Sequence, residues 1–100
     1  MPSVMAVTPP LPDLVLFTRP GCHLCDEARD AIQAILEDRA ARSRPIARLV
    51  ERDIARDPDL ERAFFDRIPV VELRGDRLEL ATSASRLRRW IDEHLDRVLA

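Results

Sequence analysis

The two cysteines of this chain lie three residues apart, at Cys22 and Cys25. An apolar run at residues 14–17 and a turn-forming segment at 18–21 precede them, which predicts that the pair lies where a buried strand turns into a helix. Backbone N–H groups at a helix N-terminus have no intrahelical partner, and the peptide dipoles leave positive potential there. We therefore expect the pKa of Cys22 to fall from about 8.5 into the range of roughly 3.5 to 7.5, which makes it a nucleophilic thiolate.

A cysteine pair at this spacing can also have roles other than that of a nucleophile. A disulfide between residues so close constrains almost nothing, so a structural bridge is not expected, and redox chemistry or metal binding in a reducing compartment remains. The pair could hold half of a zinc site or part of an iron–sulfur cluster, with further ligands from a second subunit, from His23 or from an outside thiol. It could also belong to a redox-sensing interaction protein, in which the disulfide changes partner binding.

Composition limits the partners and the compartment. The chain has 100 residues, no lysine and a net charge of -2, which argues against nucleic acid as an obligatory partner. No stretch approaches the length of about 18 apolar residues that a membrane helix needs, and residues 1–12 do not resemble a secretory signal. We expect a cytoplasmic monomer with no membrane partner, an extended or disordered segment at residues 1–12, and one domain at 13–100.

The pattern of apolar residues predicts the element order βαβ-α-ββα in that domain. The first two strands should be parallel, and the last two should form an antiparallel hairpin in the same sheet. Asp57 followed by Pro58 marks the start of the short second helix, on which Phe64 and Phe65 are expected in the core. The predicted elements are a strand at 14–17, a helix from 22 to about 41, an edge strand at 46–54, a helix from 57 to 67, and strands at 68–73 and 78–81 around a turn at 74–77. A last helix follows, and Thr82, Ser83 or Ser85 is expected to cap it. Its apolar stripe consists of Leu87, Trp90, Ile91, Leu95 and Val98.

The run Gly-Cys-His-Leu-Cys-Asp-Glu-Ala at residues 21–28, followed later by Ile-Pro-Val-Val at 68–71, resembles the thioredoxin superfamily in its small glutaredoxin-like form. The closest likeness is to small bacterial glutaredoxin-like proteins, and it extends over residues 13–98. The resemblance implies an α/β protein with the minimal thioredoxin fold, in which a four-stranded mixed sheet has helices on both faces. It also implies a thiol-disulfide oxidoreductase.

The resemblance assigns roles to particular residues. Cys22 would be the exposed nucleophile and Cys25 the buried resolving thiol, while Pro69 would be a cis proline facing the disulfide. The backbone of Ile68 would pair with an extended substrate. The implied substrate-binding residues are Arg19, His23, Leu24, Ile68 and Pro69.

Some of these positions depart from the glutaredoxin pattern or have a simpler explanation. His23 and Leu24 stand where glutaredoxins have Pro-Tyr, and His23 could either stabilise the Cys22 thiolate or face water. Arg19 matches a basic residue of many glutaredoxins, and it could either raise the positive potential beside Cys22 or be a solvated turn residue.

The expected cofactor is the redox-active cysteine pair itself, with no other group bound. Residues 81–85 lack the Gly-Gly or Gly-Cys pattern with which glutaredoxins hold glutathione, so the resemblance does not imply a glutathione site. The matching Arg19 leaves an anionic ligand open. The expected partners are a disulfide-bearing protein or small-thiol substrate, and a reductase or glutathione as electron donor.

Overall fold

The computed structural model describes residues 10–97, which form four strands and three α-helices. The elements are β1 Asp13–Thr18, α1 His23–Ala41, β2 Arg48–Asp53, a 3₁₀ turn Ile54–Arg56, α2 Pro58–Phe64, β3 Val70–Leu73, β4 Asp76–Leu78 and α3 Ala84–Arg97. The strands form one sheet in the order β2-β1-β3-β4, in which β1 and β2 are parallel and β3 is antiparallel to β1 and to β4. The predicted element order, the mixed sheet and the edge position of β2 are confirmed.

The central strand β1 is apolar on both of its faces, and helices cover both. Leu14 and Leu16 are fully buried in a cluster with side chains of α1 and α3. Val15 and Phe17 point to the opposite face, because side chains alternate along a strand, and there they pack with residues of α2. The continuous apolar run therefore corresponds to a strand between two helical layers, as predicted.

The predicted helix starts agree with the structure. Asp57 is the N-cap of α2, where its carboxylate accepts from the Asp59 N–H at 2.9 Å, and Pro58 is the first helical residue. At α3, the Ser83 hydroxyl accepts from the Arg86 N–H at 3.2 Å, so Ser83 is the cap among the three candidates. Both caps satisfy backbone donors that have no partner inside the helix.

The predicted hairpin was wrong in its second strand, which spans Asp76–Leu78 rather than residues 78–81. The turn is only two residues long, since Leu73 pairs with Asp76, and both Arg74 and Gly75 have positive φ (52° and 89°). Such a turn matches the twist of a hairpin and lets β4 begin immediately after it. The strand then stops before Leu80, whose φ of 50° lies in the left-handed region and cannot continue a strand.

Three further predictions about the middle of the chain need correction. Phe64, the last residue of α2, is 3% exposed in the core, whereas the next residue, Phe65, is 57% exposed, so the predicted core position of Phe65 was wrong, as was the predicted helix end at residue 67. The third strand begins at Val70 rather than at residue 68, because Pro69 precedes it and has no N–H for the ladder.

Part of the predicted N-terminal segment and one predicted core residue lie outside the described residues. These are residues 1–9 of the segment 1–12, and Val98 of the last helix. Within residues 10–97, none of the helices has the length and apolar character needed to cross a bilayer.

Arg39 is a buried arginine that connects α1 to α3. Its side chain is 4% exposed, and its two terminal nitrogens donate to Asp92 and Asp96, each at 2.6 Å. Its Nε donates to the Pro45 carbonyl oxygen at 2.7 Å. Burying a guanidinium removes its hydration, so these three acceptors replace the water that the charge loses.

We expect Arg39→Met to lower the free energy of unfolding by about 2 kcal/mol, because it leaves two carboxylates without their partner. The loss is smaller than for a fully buried pair, since Asp92 and Asp96 are 41% and 39% exposed. Urea denaturation of the wild type and the variant measures the difference. Arg44→Met is the matched control, because Arg44 also contacts Asp96 but is 58% exposed, and it should cost less than about 0.5 kcal/mol. Equal losses in the two variants would contradict this role for Arg39.

From the same ion pair we predict that the stability of the protein depends on pH in the acidic range. The hydrogen bond from Arg39 holds the pKa of Asp96 below its ordinary value of 3.8. A carboxyl whose pKa is lowered by folding stabilises the protein above its unfolded pKa, and this contribution is lost as the pH falls through the folded value. When the pH is lowered from about 5 to 2, the free energy of unfolding should therefore fall less in Asp96→Asn than in the wild type, as measured by urea denaturation at each pH. The control is Asp30→Asn, which removes an exposed carboxylate of α1 and should keep the wild-type acid profile.

Candidate active site

The loop between β1 and α1 places Cys22 at the N-terminus of the helix. Gly21 has a φ of 78°, a conformation that glycine adopts without steric cost. The Cys22 N–H then donates to the Arg19 carbonyl at 3.2 Å, which closes a tight turn. Cys22 itself has an extended backbone and is the N-cap residue of α1, as the sequence predicted.

The Cys22 sulfur takes the place that a side-chain oxygen usually has at a helix N-cap. The Cys25 N–H donates to Cys22 Sγ at 3.1 Å, and this N–H is one of the donors that lack an intrahelical acceptor. The positive end of the helix dipole acts on the same sulfur. In the reduced protein, both interactions favour the thiolate of Cys22 over its thiol.

The two cysteines differ in exposure. Cys22 is half-buried, whereas Cys25 is 1% exposed and belongs to the buried core. The structure contains a disulfide between them, with their Cα atoms 5.2 Å apart, which is an ordinary separation for a bridged pair. Cys22 is therefore the more open of the two residues to a reactant from solvent, while Cys25 is enclosed by the core.

The bond between Ile68 and Pro69 is cis, as the resemblance implied. Phe17 of β1 pairs with Val70 of β3 in antiparallel register, so Pro69 lies beside Thr18, the last residue of β1. The Pro69 carbonyl accepts from the Ala81 N–H at 2.8 Å, which holds this loop to the segment after β4. The proline loop and the loop that carries the cysteines thus leave the sheet at the same end.

The predicted pairing role of the Ile68 backbone is limited by an internal hydrogen bond. Its N–H donates to the Phe64 carbonyl at 3.2 Å, at the end of α2. Among residues 10–97, no hydrogen bond to the Ile68 carbonyl is formed. The carbonyl oxygen of Ile68 could therefore accept a hydrogen bond from a substrate strand, whereas its N–H already donates to Phe64.

Arg19 forms an ion pair that the sequence did not indicate. Its guanidinium donates to the Glu61 carboxylate of α2, and each side chain is 39% exposed. The two residues are 42 positions apart, so no spacing rule connects them. Glu61 is therefore a residue of this site that sequence reasoning missed.

His23 and Leu24 lie on the exposed side of the first turn of α1. The His23 side chain is 87% exposed, and its Nε2 lies 3.2 Å from the Glu27 carboxylate, one helical turn further on. Leu24 is 49% exposed, which is unusual for a large apolar residue and leaves it available to a partner. Both residues therefore border the cysteine pair on its solvent side, although neither covers it.

The described part of the chain offers few ligands for a metal at this site. Within residues 10–97, no group of three or more His, Cys, Asp and Glu side chains is arranged to hold a metal ion. A metal or cluster held by Cys22 and Cys25 would thus need ligands from outside those residues.

The fold and the site define a thioredoxin-fold protein with a Cys-x-x-Cys pair at the start of its first helix. The model of the family described as Glutaredoxin-like domain (DUF836) matches residues 13–94. The chain belongs to this family. The match covers every element that carries a residue of the site.

Similarity to a solved structure supports the fold independently. The chain resembles the X-ray structure of Northeast Structural Genomics target protein XcR50 from X. campestris, with 33% sequence identity and a TM-score of 0.64. The similarity covers 80% of this chain and 96% of the other. No curated protein gave a match.

We expect Cys22 of the reduced protein to react with iodoacetamide at least roughly tenfold faster than Cys25, because only Cys22 is accessible and stabilised as a thiolate. A short pulse of reagent followed by tandem mass spectrometry assigns the modified cysteine. The control is the same pulse in concentrated urea, where the burial of Cys25 is lost and the two rates should converge. Faster reaction of Cys25 in the folded protein would contradict the assignment.

Proposed function

We propose that this protein is a thiol-disulfide oxidoreductase that reduces or exchanges disulfides through Cys22 and Cys25. One observation carries the proposal: the Cys22 sulfur accepts the Cys25 N–H at the N-terminus of α1, and Cys22 is partly exposed while Cys25 is buried. This arrangement gives a nucleophile that is stabilised as a thiolate and a second thiol that solvent cannot reach. Membership of a glutaredoxin-like family supports the same function.

The first step is attack of the Cys22 thiolate on a substrate disulfide. A bond forms between Cys22 Sγ and one substrate sulfur, the substrate S–S bond breaks, and the other substrate sulfur leaves as a thiolate that takes a proton from water. The product is a mixed disulfide between Cys22 and the substrate. The helix N-terminus favours the anion before attack and exposes it to a partner of any size that can approach the loop.

The second step releases the substrate. Cys25 loses its proton and attacks Cys22 Sγ, the mixed disulfide breaks, and the second substrate sulfur leaves as a thiol. Two electrons have then passed from the cysteine pair to the substrate, and the protein is in the disulfide form that the structure contains. Because Cys25 is 1% exposed, its sulfur can attack Cys22 Sγ beside it but not a disulfide in solution.

Recycling requires an electron donor, for which we propose a reductase or glutathione. The substrate is a disulfide in a protein or a small thiol compound, and the protein acts as a monomer in the reducing environment of the cytoplasm. The exposed Leu24 and the Ile68 carbonyl, which accepts no hydrogen bond from residues 10–97, support an extended polypeptide as substrate, since such a chain offers apolar side chains and N–H groups together.

We expect Cys22→Ser to abolish disulfide reduction and Cys25→Ser to retain the first step only. The second variant should accumulate a mixed disulfide, visible as a mass increase equal to one half of the substrate, because the resolving thiol is missing. Turnover is measured with a small disulfide, driven in parallel by glutathione with its reductase and by thioredoxin reductase.

The two variants serve as controls for each other, since each removes one sulfur and nothing else. Full activity of Cys22→Ser would show that the roles are reversed. Absence of turnover by the wild type with both donors would contradict an electron carrier and favour a redox sensor.

A further inference from the structure

Arg19 is the cation that is tied most directly to the nucleophile. Its carbonyl oxygen accepts from the Cys22 N–H at 3.2 Å, so the guanidinium extends from the same tight turn that presents the sulfur. A free guanidinium in this place would attract the carboxylate of an anionic disulfide. Its charge is, however, already engaged.

Glu61 holds that guanidinium from α2. The helix is fixed in place, because Asp57 caps its start and Phe64 packs on Phe17 of β1 with ring centroids 4.8 Å apart. Glu61 thus sits on an anchored helix and pairs with Arg19 across the loop. Since each side chain is 39% exposed, an incoming anion can compete with Glu61 but must displace it.

Two further side chains near this end of the sheet, His23 in the first turn of α1 and Arg67 before Pro69, also face carboxylates. His23 Nε2 lies 3.2 Å from Glu27, and Arg67 donates to Glu79 at 3.1 Å. The two arginine pairs hold two positive and two negative charges. The pocket beside Arg19 adds one arginine, Arg29, and three carboxylates, Asp26, Glu51 and Asp53, so these described groups offer no excess of positive charge to an anionic substrate.

We propose that Glu61 is a specificity-determining residue that makes the cysteine pair discriminate against anionic disulfides by occupying Arg19. The proposal rests on the proposed function. It assigns neutral or cationic disulfides, including those in polypeptide segments without acidic neighbours, as the preferred substrate class. Small disulfides that carry carboxylates are the disfavoured class.

The test compares two small disulfides that differ in charge, anionic dithiodiglycolate and neutral hydroxyethyl disulfide. Reduced protein is mixed with each, and the loss of protein thiols in a single turnover gives the two rate constants. Glu61→Gln should raise the ratio of the anionic to the neutral rate constant roughly two- to fivefold, which is the range that breaking an exposed ion pair allows. The increase should shrink in about 0.5 M salt, because the added ions screen Arg19.

Asp59→Asn is the matched control. Asp59 lies on the same helix, is 86% exposed and pairs with Arg62, so its loss changes the net charge equally without freeing Arg19. The control should keep the wild-type ratio, and the double variant Glu61→Gln with Arg19→Gln should return to the wild-type ratio or below it. Should Glu61→Gln fail to fold, Arg19→Gln alone must lower the ratio, because Glu61 then faces the substrate uncompensated.

The proposal is overturned if Glu61→Gln leaves the ratio unchanged, or if Asp59→Asn raises it equally. An unchanged ratio in a folded Arg19→Gln variant overturns it as well. Failure of the proposed function looks different, since the reduced wild type would then react with neither disulfide.

Discussion

The burial of β1 on both faces is the constraint on which the rest of the structure depends. Leu14 and Leu16 are covered by α1 and α3, and Phe17 is covered by α2, while β2 and β3 occupy the two edges of the strand. The chain can therefore leave β1 only at its end, after Thr18, where it must turn outward into solvent before α1 can return across the sheet. The cysteine pair lies in that turn, so the position of the reactive sulfur follows from packing in the core.

Predictions from the sequence succeeded where a local pattern determines the structure. The apolar run at 14–17 and the Asp57-Pro58 cap specify their elements through neighbours in sequence, and both are found as expected. The hairpin was misplaced because Arg74 adopts a positive φ of 52°, which is uncommon for a residue with a Cβ and leaves no signal in the sequence. Phe65 was misplaced because it follows Phe64 with helical backbone angles, and successive residues of a helix point about 100° apart, so the turn that buries Phe64 directs Phe65 outward.

In the candidate site, too, features set by neighbours in sequence could be predicted and features set by tertiary contacts could not. The cysteine pair could be found from the sequence, because its capping geometry spans only four residues. The pairing of Arg19 with Glu61 could not be found from the sequence, because any of the 18 acidic residues was an equal candidate. Only the fold brings α2, and with it Glu61, to the loop that carries Arg19. The N–H of Ile68 is likewise used by a carbonyl at the end of α2, which depends on where that helix stops. The charge and the hydrogen-bonding capacity around the sulfur are therefore properties of the tertiary structure.

The sulfur cap of α1 couples the stability of the helix to the oxidation state of the protein. An anionic sulfur is a stronger acceptor for the Cys25 N–H than a neutral disulfide sulfur, so reduction strengthens the first turn and oxidation weakens it. This interaction stabilises the reduced form relative to the disulfide form. The reduction potential of the cysteine pair therefore rises, by about 30 mV for each 1.4 kcal/mol of stabilisation. In the proposed function, the backbone donor that favours the Cys22 thiolate thus also makes the protein a weaker reductant.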